Sequence, residues 1–305
     1  MRQVSTVAVL RAAVHEARVA GRRTVLVPTM GALHEGHLEL VRLAAEHGDH
    51  TVVSIFVNPT QFDRREDLAD YPRDLEGDLA ALEGLGPASP AVVFTPTAAE
   101  IYPRPPLTSI RVAELTERLC GATRPGHFDG VATVVTKLFH LVRPDAAVFG
   151  RKDFQQLQVV RRLVADLNLP VAIIGGPTVR EADGVAMSSR NRRLDEDGRH
   201  AARALSQALR AAALAAQEQR GSGGRLSSVA VHEAAEQVLT AADGVEVEYL
   251  EVLKPDELAP APRWLPVDAQ LLVAVAGFIG GDVRLIDNVV VGDAEDEQRL
   301  LAATG

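Results

Sequence analysis

The feature that most constrains the fold of this chain is a regular alternation of short apolar runs with longer stretches of helical periodicity. The apolar runs lie near residues 24–27, 51–57, 91–94, 146–149 and 171–174, and the helical stretches begin near residues 36, 74, 128 and 153. Short runs of this kind are typical of strands buried in a parallel sheet, with helices as the crossovers. We therefore expect an α/β protein with a doubly wound parallel sheet, which binds ligands at the carboxyl ends of its strands.

Length and composition favour a globular protein of two domains. The chain has 305 residues, of which 47% are hydrophobic, so it can bury a sizeable core. Its single cysteine, Cys120, excludes an internal disulfide framework. We expect Cys120 to lie at a helix end before Gly121, because no activating base is identifiable beside it.

Charge and hydropathy also limit the partners. A net charge of −9 argues against nucleic acid, whose phosphates need a basic surface. No apolar run is long enough to span a bilayer, and the first residues lack the apolar core of a secretory signal. These patterns predict a cytoplasmic protein with no membrane partner.

The pattern changes near residue 177, which predicts a boundary between a first domain, 1–177, and a smaller second domain, 178–305. Alternating apolar residues within 245–291 predict strands, so we expect the second domain to be an α+β unit. The Gly/Ser-rich stretch 219–225 is expected to form a flexible loop. We expect the acidic residues beyond about 292 to form a disordered tail.

Two histidines follow the first strand of the alternation. His34 and His37 lie three residues apart around Gly36, at the expected start of a helix. Both rings would share one face of that first turn, beside backbone N–H groups that favour an anion. A zinc site is the alternative, but the usual His-Glu-Xaa-Xaa-His spacing is absent because one residue only separates Glu35 from His37. The segment therefore predicts a nucleotide-phosphate site.

Further cations and hydroxyl groups follow later strands. Lys152 comes after a strand and before a helix, where it can neutralise a phosphate, and Asp153 is either a helix cap or a ribose acceptor. Ser188, Ser189 and Arg190 lie just past the expected boundary, where they either bind an oxyanion or cap a helix. Their position at a boundary favours binding.

Two neutral side chains complete the candidate set. Gln61 and Gln156 can hold a small hydroxy acid by hydrogen bonds without fixing its charge. The sequence shows no carboxylate pair, Ser-His-Asp arrangement or Cys-His pair. A set rich in cations and donors but poor in nucleophiles suits adenylyl transfer, in which a substrate carboxylate attacks the α-phosphate of ATP.

Seven short motifs follow one another along the chain between about residues 20 and 290. They are Pro28-Thr-Met-Gly-Ala-Leu-His-Glu-Gly-His37, Phe56-Val-Asn-Pro-Thr-Gln-Phe62, Tyr71-Pro-Arg73, Gly126-His-Phe-Asp-Gly-Val131, Lys152-Asp-Phe-Gln-Gln156, Met187-Ser-Ser-Arg-Asn191 and Arg284-Leu-Ile-Asp-Asn288. Together they resemble the pantothenate synthetase (pantoate–β-alanine ligase) family in the wider nucleotidylyltransferase superfamily. They occur in the family's order, which makes the resemblance far more specific than a His-Xaa-Gly-His element alone.

This resemblance implies a homodimeric enzyme that joins pantoate to β-alanine, using ATP and Mg²⁺, through a pantoyl-adenylate intermediate. It implies a Rossmann-like first domain that binds ATP and pantoate, and a second domain that acts as a lid. By position in the motifs, the implied catalytic residues are His34, His37, Lys152, Ser188 and Arg190. The implied ATP-binding residues are Met30, Gly36, Gly150, Asp153, Val179, Met187 and Ser189, the pantoate-binding residues are Gln61 and Gln156, and the metal ligand is Asp78.

Two positions depart from the family's pattern. Gly77 precedes Asp78 where adjacent acidic residues are usual, and Arg151 stands where glutamate is common before the Lys-Asp pair. We expect the Arg151 side chain to point to solvent. The departures leave a catalytically impaired nucleotide-binding homologue as an alternative. Another nucleotidylyltransferase, which needs no amine substrate, is the second alternative.

Overall fold

The computed structural model describes residues 1–62 and 68–303 and divides into two compact units. The first unit comprises Met1–Arg151 and Gln155–Gly176, and the second comprises Lys152–Phe154 and Pro177–Gly305. The sequence placed a boundary at residue 177. The structure also assigns Lys152–Phe154 to the second unit, and no change in periodicity marks these three residues in the sequence.

The first unit is built on a six-stranded sheet. Its strands are β1 (Arg2–Val4), β2 (Thr24–Thr29), β3 (His50–Ile55), β4 (Val92–Phe94), β5 (Ala146–Gly150) and β6 (Ala172–Gly176). Every neighbouring pair is parallel, and the order across the sheet is β1-β4-β3-β2-β5-β6. The doubly wound parallel sheet expected from the sequence is therefore confirmed, with β1 as an edge strand that the apolar pattern did not predict.

Seven described helices belong to the crossovers and loops of this sheet. Their bounds are α1 (Val7–Val19), α2 (Glu35–His47), α3 (Leu75–Glu83), α4 (Ala98–Ile101), α5 (Cys120–Thr123), α6 (His127–Val142) and α7 (Phe154–Asp166). Cys120 is buried and is the first residue of α5, so it lies at a helix end, but at the N-terminal one. Gly121 is the second residue of that short helix rather than its end.

The strand order fixes where a ligand can bind. From β2 the chain moves to β3 and then β4 on one side, whereas β5 lies on the other side of β2 and leads to β6. The winding of the sheet therefore reverses between β2 and β5, which pair at Val25↔Ala146 and Leu26↔Ala147. In open α/β sheets the crevice outside such a reversal is the usual ligand site. The segments that leave β2 and β5 here begin at Met30 and at Arg151.

The second unit is a small α+β unit, as expected. Its elements are β7 (Leu226–Ser227), β8 (Val245–Leu253), β9 (Trp264–Leu265), β10 (Leu271–Ile279), β11 (Val283–Val291), α8 (Glu196–Gly221), α9 (Ser228–Thr240) and α10 (Ala294–Ala302). Three of the strands form an antiparallel sheet of order β11-β10-β8. Alanines on the buried face of α8 let its backbone approach the sheet and α9 closely, and they form part of one apolar core. No helix in the described ranges is long and apolar enough to cross a membrane.

The residues beyond 292 are ordered as far as the description extends, so the expected disordered tail is wrong. Asp293 caps α10 by accepting hydrogen bonds from the N–H groups of Glu295 and Asp296. The Asp296 carboxylate accepts from Val290 N–H at 2.8 Å, and Leu300 is only 1% exposed within the core of the unit. These tertiary contacts offset the acidic composition that suggested disorder.

The stretch 219–225 is also more ordered than expected. Its first three residues form the last turn of α8, which ends at Gly221. Gln219 accepts from Ser227 N–H at 2.7 Å, and Arg220 donates to the carbonyls of Val267 and Ala269. The expectation of a flexible loop therefore fails for these residues, because their side chains fasten the end of α8 to the loops around it.

Candidate active site

The two histidines lie at the junction of the loop after β2 and the helix α2. His34 is the N-cap of α2, and its ring centroid lies 4.1 Å from that of His37. The backbone N–H of His34 donates to His37 Nδ1 at 3.4 Å. Because Nδ1 accepts this bond, a neutral His37 ring would carry its proton on Nε2. The pairing predicted from the sequence is therefore present, in the first turn of a helix.

Asp78 of α3 anchors the loop that carries the histidines. Its side chain accepts hydrogen bonds from Ala32 N–H at 3.0 Å and from Leu33 N–H at 2.6 Å, and the residue is 4% exposed. Ala32 has a left-handed φ of 50°, a strained conformation for a residue with a side chain. Two charge-assisted hydrogen bonds to one carboxylate hold the loop in that conformation immediately before His34.

This geometry does not suit Asp78 as the expected metal ligand. Both of its oxygens already accept backbone N–H groups in a buried position. A Mg²⁺ ion keeps several waters and takes carboxylates that are accessible to it. Within residues 1–62 and 68–303 there is also no cluster of three or more His, Cys, Asp or Glu side chains that could hold a metal ion.

The unusual Gly77 is explained by the N-cap of α3. Asp74 caps this helix by accepting from Gly77 N–H at 3.0 Å. A Cβ atom at position 77 would lie 2.3 Å from Asp74 Oδ2, so any side chain there would displace the capping carboxylate. Glycine at 77 therefore lets this helix begin with a tightly folded aspartate cap.

Gln61 lies in a buried hydrogen-bonding network after β3. Its Nε2 donates to Met30 Sδ at 2.9 Å, and its Oε1 accepts from Asn58 Nδ2 at 3.1 Å. Asn58 is only 1% exposed, and its Oδ1 accepts from the hydroxyls of Thr60 and Tyr102, each at 2.9 Å. The pKa of Tyr102 is raised, because the effect of burial exceeds the opposite effect of its hydrogen bond with Thr60. The network fixes the amide of Gln61 in one orientation beside Met30.

The backbone of Gln61 is held by α6. His127 Nδ1 lies 2.7 Å from the Gln61 carbonyl oxygen and donates to it. Asn58 Nδ2 also donates to the Gly130 carbonyl at 3.2 Å. A Cβ atom on Gly130 would lie 2.3 Å from the backbone oxygen of Thr60, so only glycine allows the two segments to approach this closely. The motif around residues 126–131 therefore supports the glutamine.

The other first-unit candidates lie on α2, β5 and α7. Gly36 is in the first turn of α2, Gly150 is the last residue of β5, and Gln156 is half-buried on α7. The neighbouring Gln155 is 5% exposed and donates to the carbonyls of Leu115 and Arg118. Arg151, which we expected to point to solvent, is half-buried, so that expectation is only partly met.

Within the second unit the structure brings Val179 next to Met187. Met187 N–H donates to the Val179 carbonyl at 2.9 Å, and Arg180 pairs with Ala186 in an antiparallel bridge. This turn presents Ser188, whose hydroxyl oxygen accepts from Arg190 N–H at 3.3 Å and caps a 3₁₀ helix over Ser189–Arg193. The side chain of Arg190 is exposed, as suits a cation that binds a ligand.

Ion pairs with one arginine of α8 hold this turn. Arg199 of α8 donates to both oxygens of Asp183 at 2.6 Å and lies 2.7 Å from Glu181. Burial raises the pKa of Asp183, but the hydrogen bonds from Arg199 and from Val185 N–H outweigh it and leave the pKa below its usual value. The pKa of Arg199 is raised by its bonds to Asp183 and Glu181.

Lys152 is half-buried and Asp153 is exposed, in the 3₁₀ turn Arg151–Asp153 before α7.

Comparison with known proteins decides the family. The model of the family described as pantoate-beta-alanine ligase matches residues 2–290. The chain belongs to this family. A pantothenate synthetase of Pseudomonas aeruginosa is 50% identical over 293 residues, which is 95% of this chain and 99% of the relative.

Two crystal structures of family members agree in fold. A pantothenate synthetase from Thermus thermophilus is 46% identical and has a TM-score of 0.85, covering 95% of this chain and 99% of the other. A pantoate-beta-alanine ligase from Francisella tularensis, solved with beta-gamma ATP and beta-alanine, is 30% identical and has a TM-score of 0.75, covering 95% and 97%. Identities and coverage of this size place the whole chain, both units included, in the ligase family.

Three residues that support the candidate pantoate site could not be assigned a role from the sequence. Asn58, Tyr102 and His127 orient Gln61 without having been assigned a role. The sequence offered a partial indication, since Asn58 and His127 lie inside motifs of the family. Tyr102 lies outside those motifs and is found only through its contact with Asn58.

Proposed function

We propose that this chain condenses pantoate with β-alanine at the expense of ATP, giving pantothenate, AMP and pyrophosphate. The observation that carries the proposal is the His34–His37 pair at the reversal point of the sheet, in a chain that matches the ligase family over residues 2–290. A phosphate chain bound there meets the first turn of α2, where backbone N–H groups favour an anion, beside both imidazole rings.

In the first half-reaction, a pantoate carboxylate oxygen attacks the α-phosphorus of ATP. A P–O bond forms to the carboxylate, and the bond from the α-phosphorus to the bridging oxygen breaks and releases pyrophosphate. Gln61, oriented by Asn58, binds pantoate together with Gln156. The protein supplies no nucleophile in this step. Its cations and hydrogen-bond donors stabilise the negative charge on the phosphates. The residues in this role are His34, His37, Lys152, Ser188 and Arg190.

In the second half-reaction, the amine of β-alanine attacks the carbonyl carbon of pantoyl adenylate. A C–N bond forms, the C–O bond to AMP breaks, and the attacking nitrogen loses a proton. The mixed anhydride must be kept from water between the two steps. The residues that we propose to line the nucleotide pocket meanwhile are Met30, Gly36, Gly150, Asp153, Val179, Met187 and Ser189.

We propose that the divalent metal binds together with ATP, as a complex with its phosphates. Since Asp78 is committed to backbone N–H groups, Mg²⁺ would be held by the phosphates of ATP and by water. Bound in this way, the ion would neutralise charge on the departing pyrophosphate. The chain's own contribution is to hold those phosphates with the histidines, Lys152 and Arg190.

We further propose a homodimer in the cytoplasm, with the second unit acting as a lid. The resemblance to the family supports the dimer and the lid, and a composition with a single cysteine suits a reducing compartment. Sedimentation equilibrium tests the dimer directly: a mass twice that of one 32.6 kDa chain is expected, and a single-chain mass would contradict it.

The test of the function is the isolation of the intermediate. Protein, ATP, Mg²⁺ and pantoate are mixed without β-alanine, and the acid-quenched products are analysed by mass spectrometry. Pantoyl adenylate is expected in an amount close to that of the protein, and adding β-alanine should convert it to pantothenate. If ATP binds and no adenylate forms, the chain is a nucleotide-binding homologue without ligase activity.

A further inference from the structure

The motif Arg284–Asn288 of β11 has no role in the mechanism above, yet two of its side chains are buried and polar. Asp287 is 3% exposed and Asn288 is 5% exposed. Polar groups are rarely buried at this level without a specific partner. The partners of these two residues lie in the segments that carry Lys152, Ser188 and Arg190.

Asn288 holds the backbone at Lys152. Its Nδ2 donates to the Lys152 carbonyl oxygen at 2.7 Å, across a separation of 136 residues in sequence. This contact lies within the second unit, to which Lys152–Phe154 belong together with β11. The position of the Lys152 backbone is therefore tied to a strand in the sheet of that unit.

Asp287 holds the turn before Ser188. Its two oxygens accept from Arg180 Nη1 at 2.6 Å and from Arg180 Nη2 at 3.0 Å, with the Arg180 side chain 4% exposed. Arg180 also donates to the Gly184 carbonyl at 3.1 Å and pairs with Ala186. The bidentate pair therefore fixes both arms of the turn that leads into Ser188 and Arg190.

We propose that Asp287 and Asn288 are positioning residues for adenylate formation. They attach two separate cation-bearing segments, one with Lys152 and the other with Ser188 and Arg190, to one rigid strand, so that these groups meet the ATP phosphates in a fixed mutual arrangement. The inference rests on the proposed phosphate role of Lys152, Ser188 and Arg190. Catalytic groups held by well-packed supporting contacts lose much of their effect when they move by about 1 Å.

A double-mutant cycle tests this proposal in the intact chain. The rate of pantoyl-adenylate formation is measured in a single turnover for Asn288→Ala, Lys152→Ala and the double variant. We expect Asn288→Ala to slow the step by about 100-fold. In the Lys152→Ala background, where no ammonium group remains to be positioned, the same change should have almost no further effect.

Matched variants separate positioning from folding. Glu248→Gln removes the charge of the β8 carboxylate that pairs with Arg284 of β11, with bonds of 3.0 and 3.2 Å from Arg284 Nε. We expect it to leave the rate unchanged. If Asn288→Ala does not fold, Asn288→Asp takes its place in the test. This variant keeps the shape of the side chain and removes the donor, and we expect it to slow adenylate formation to a similar extent.

The outcomes are distinct. Near-parental rates for Asn288→Ala and Asn288→Asp would overturn the proposal. It would also be overturned if Asn288→Ala slowed adenylate formation equally in the parent and in Lys152→Ala, because a purely structural role does not depend on Lys152. A parental rate for Lys152→Ala alone would instead overturn the phosphate role assigned under the proposed function. A slow Asn288→Ala with no additional loss in the double variant supports the proposal.

Discussion

Replacing Asp78 by asparagine tests whether this carboxylate fixes the loop that carries the histidines. The change preserves the shape of the side chain but substitutes an NH₂ group for one of the two oxygens that accept from Ala32 and Leu33. One buried N–H then loses its acceptor and faces a donor. Bonds to a charged acceptor contribute about 1.5–3 kcal/mol, and an unsatisfied buried donor costs about 1–3 kcal/mol. We expect the free energy of unfolding to fall by about 3 kcal/mol.

The assay is thermal unfolding followed by circular dichroism, together with the Mg²⁺ dependence of adenylate formation. For a unit of this size, about 3 kcal/mol corresponds to a decrease in Tm of roughly 6–12 °C. Asp74→Asn is the matched control, because it makes the same chemical change four residues earlier, at the N-cap of the same helix. Asparagine caps helices about as well as aspartate, so this variant should lose less than about 1 kcal/mol.

One result would refute the reasoning. If Asp78→Asn melts within a degree of the parent while the Mg²⁺ concentration for half-maximal rate rises several-fold, Asp78 is a metal ligand and not the anchor of the loop. The expected result is the opposite: a lower Tm, a slower adenylate step because the histidines are less well placed, and an unchanged Mg²⁺ requirement.

Three further predictions address the pantoate site, a buried histidine and the C-terminal helix. Gln61→Ala should raise the KM for pantoate and leave ATP binding nearly unchanged; weakened ATP binding with normal pantoate saturation in steady-state kinetics would contradict the assignment. His50 is 4% exposed, and burial together with the charge of Arg22 lowers its pKa below 6.5. The unfolded chain therefore binds this proton more readily, so stability should fall as pH drops below 6.5, and His50→Gln should make that decline shallower in urea titrations. Equal slopes for parent and variant would exclude His50 as a source of the pH dependence. Leu300→Ala should destabilise the second unit by about 2–5 kcal/mol in denaturant unfolding, whereas no change would mean that α10 is not packed in solution.

The parallel sheet and the histidine pair could be predicted from the sequence because each depends on local patterns. Strands such as β2 are continuous apolar runs, and the turn after β2 follows from the residues within it. The His34–His37 pair lies within one helical turn, so its geometry follows from helix periodicity. Both features are set by residues close together in the chain.

The features that sequence reasoning missed depend on contacts between distant residues. Asp78 reaches Ala32 across 46 residues, so its role in anchoring the loop before His34 could not be predicted from the sequence. The order of α10 depends on Asp296 and Leu300 meeting the rest of the second unit, although the local composition is acidic. The three-residue strand β1 is specified by its pairing with β4 rather than by a long apolar run.

The most direct test of the account is AMP release from ATP and Mg²⁺ with pantoate, measured with and without β-alanine. The account predicts sustained AMP release only when both pantoate and β-alanine are present, with one pantothenate formed for each AMP. ATP binding without turnover would contradict it. A nucleotide-linked product that accumulates through many turnovers without the amine would likewise assign the chain to another nucleotidylyl-transfer reaction.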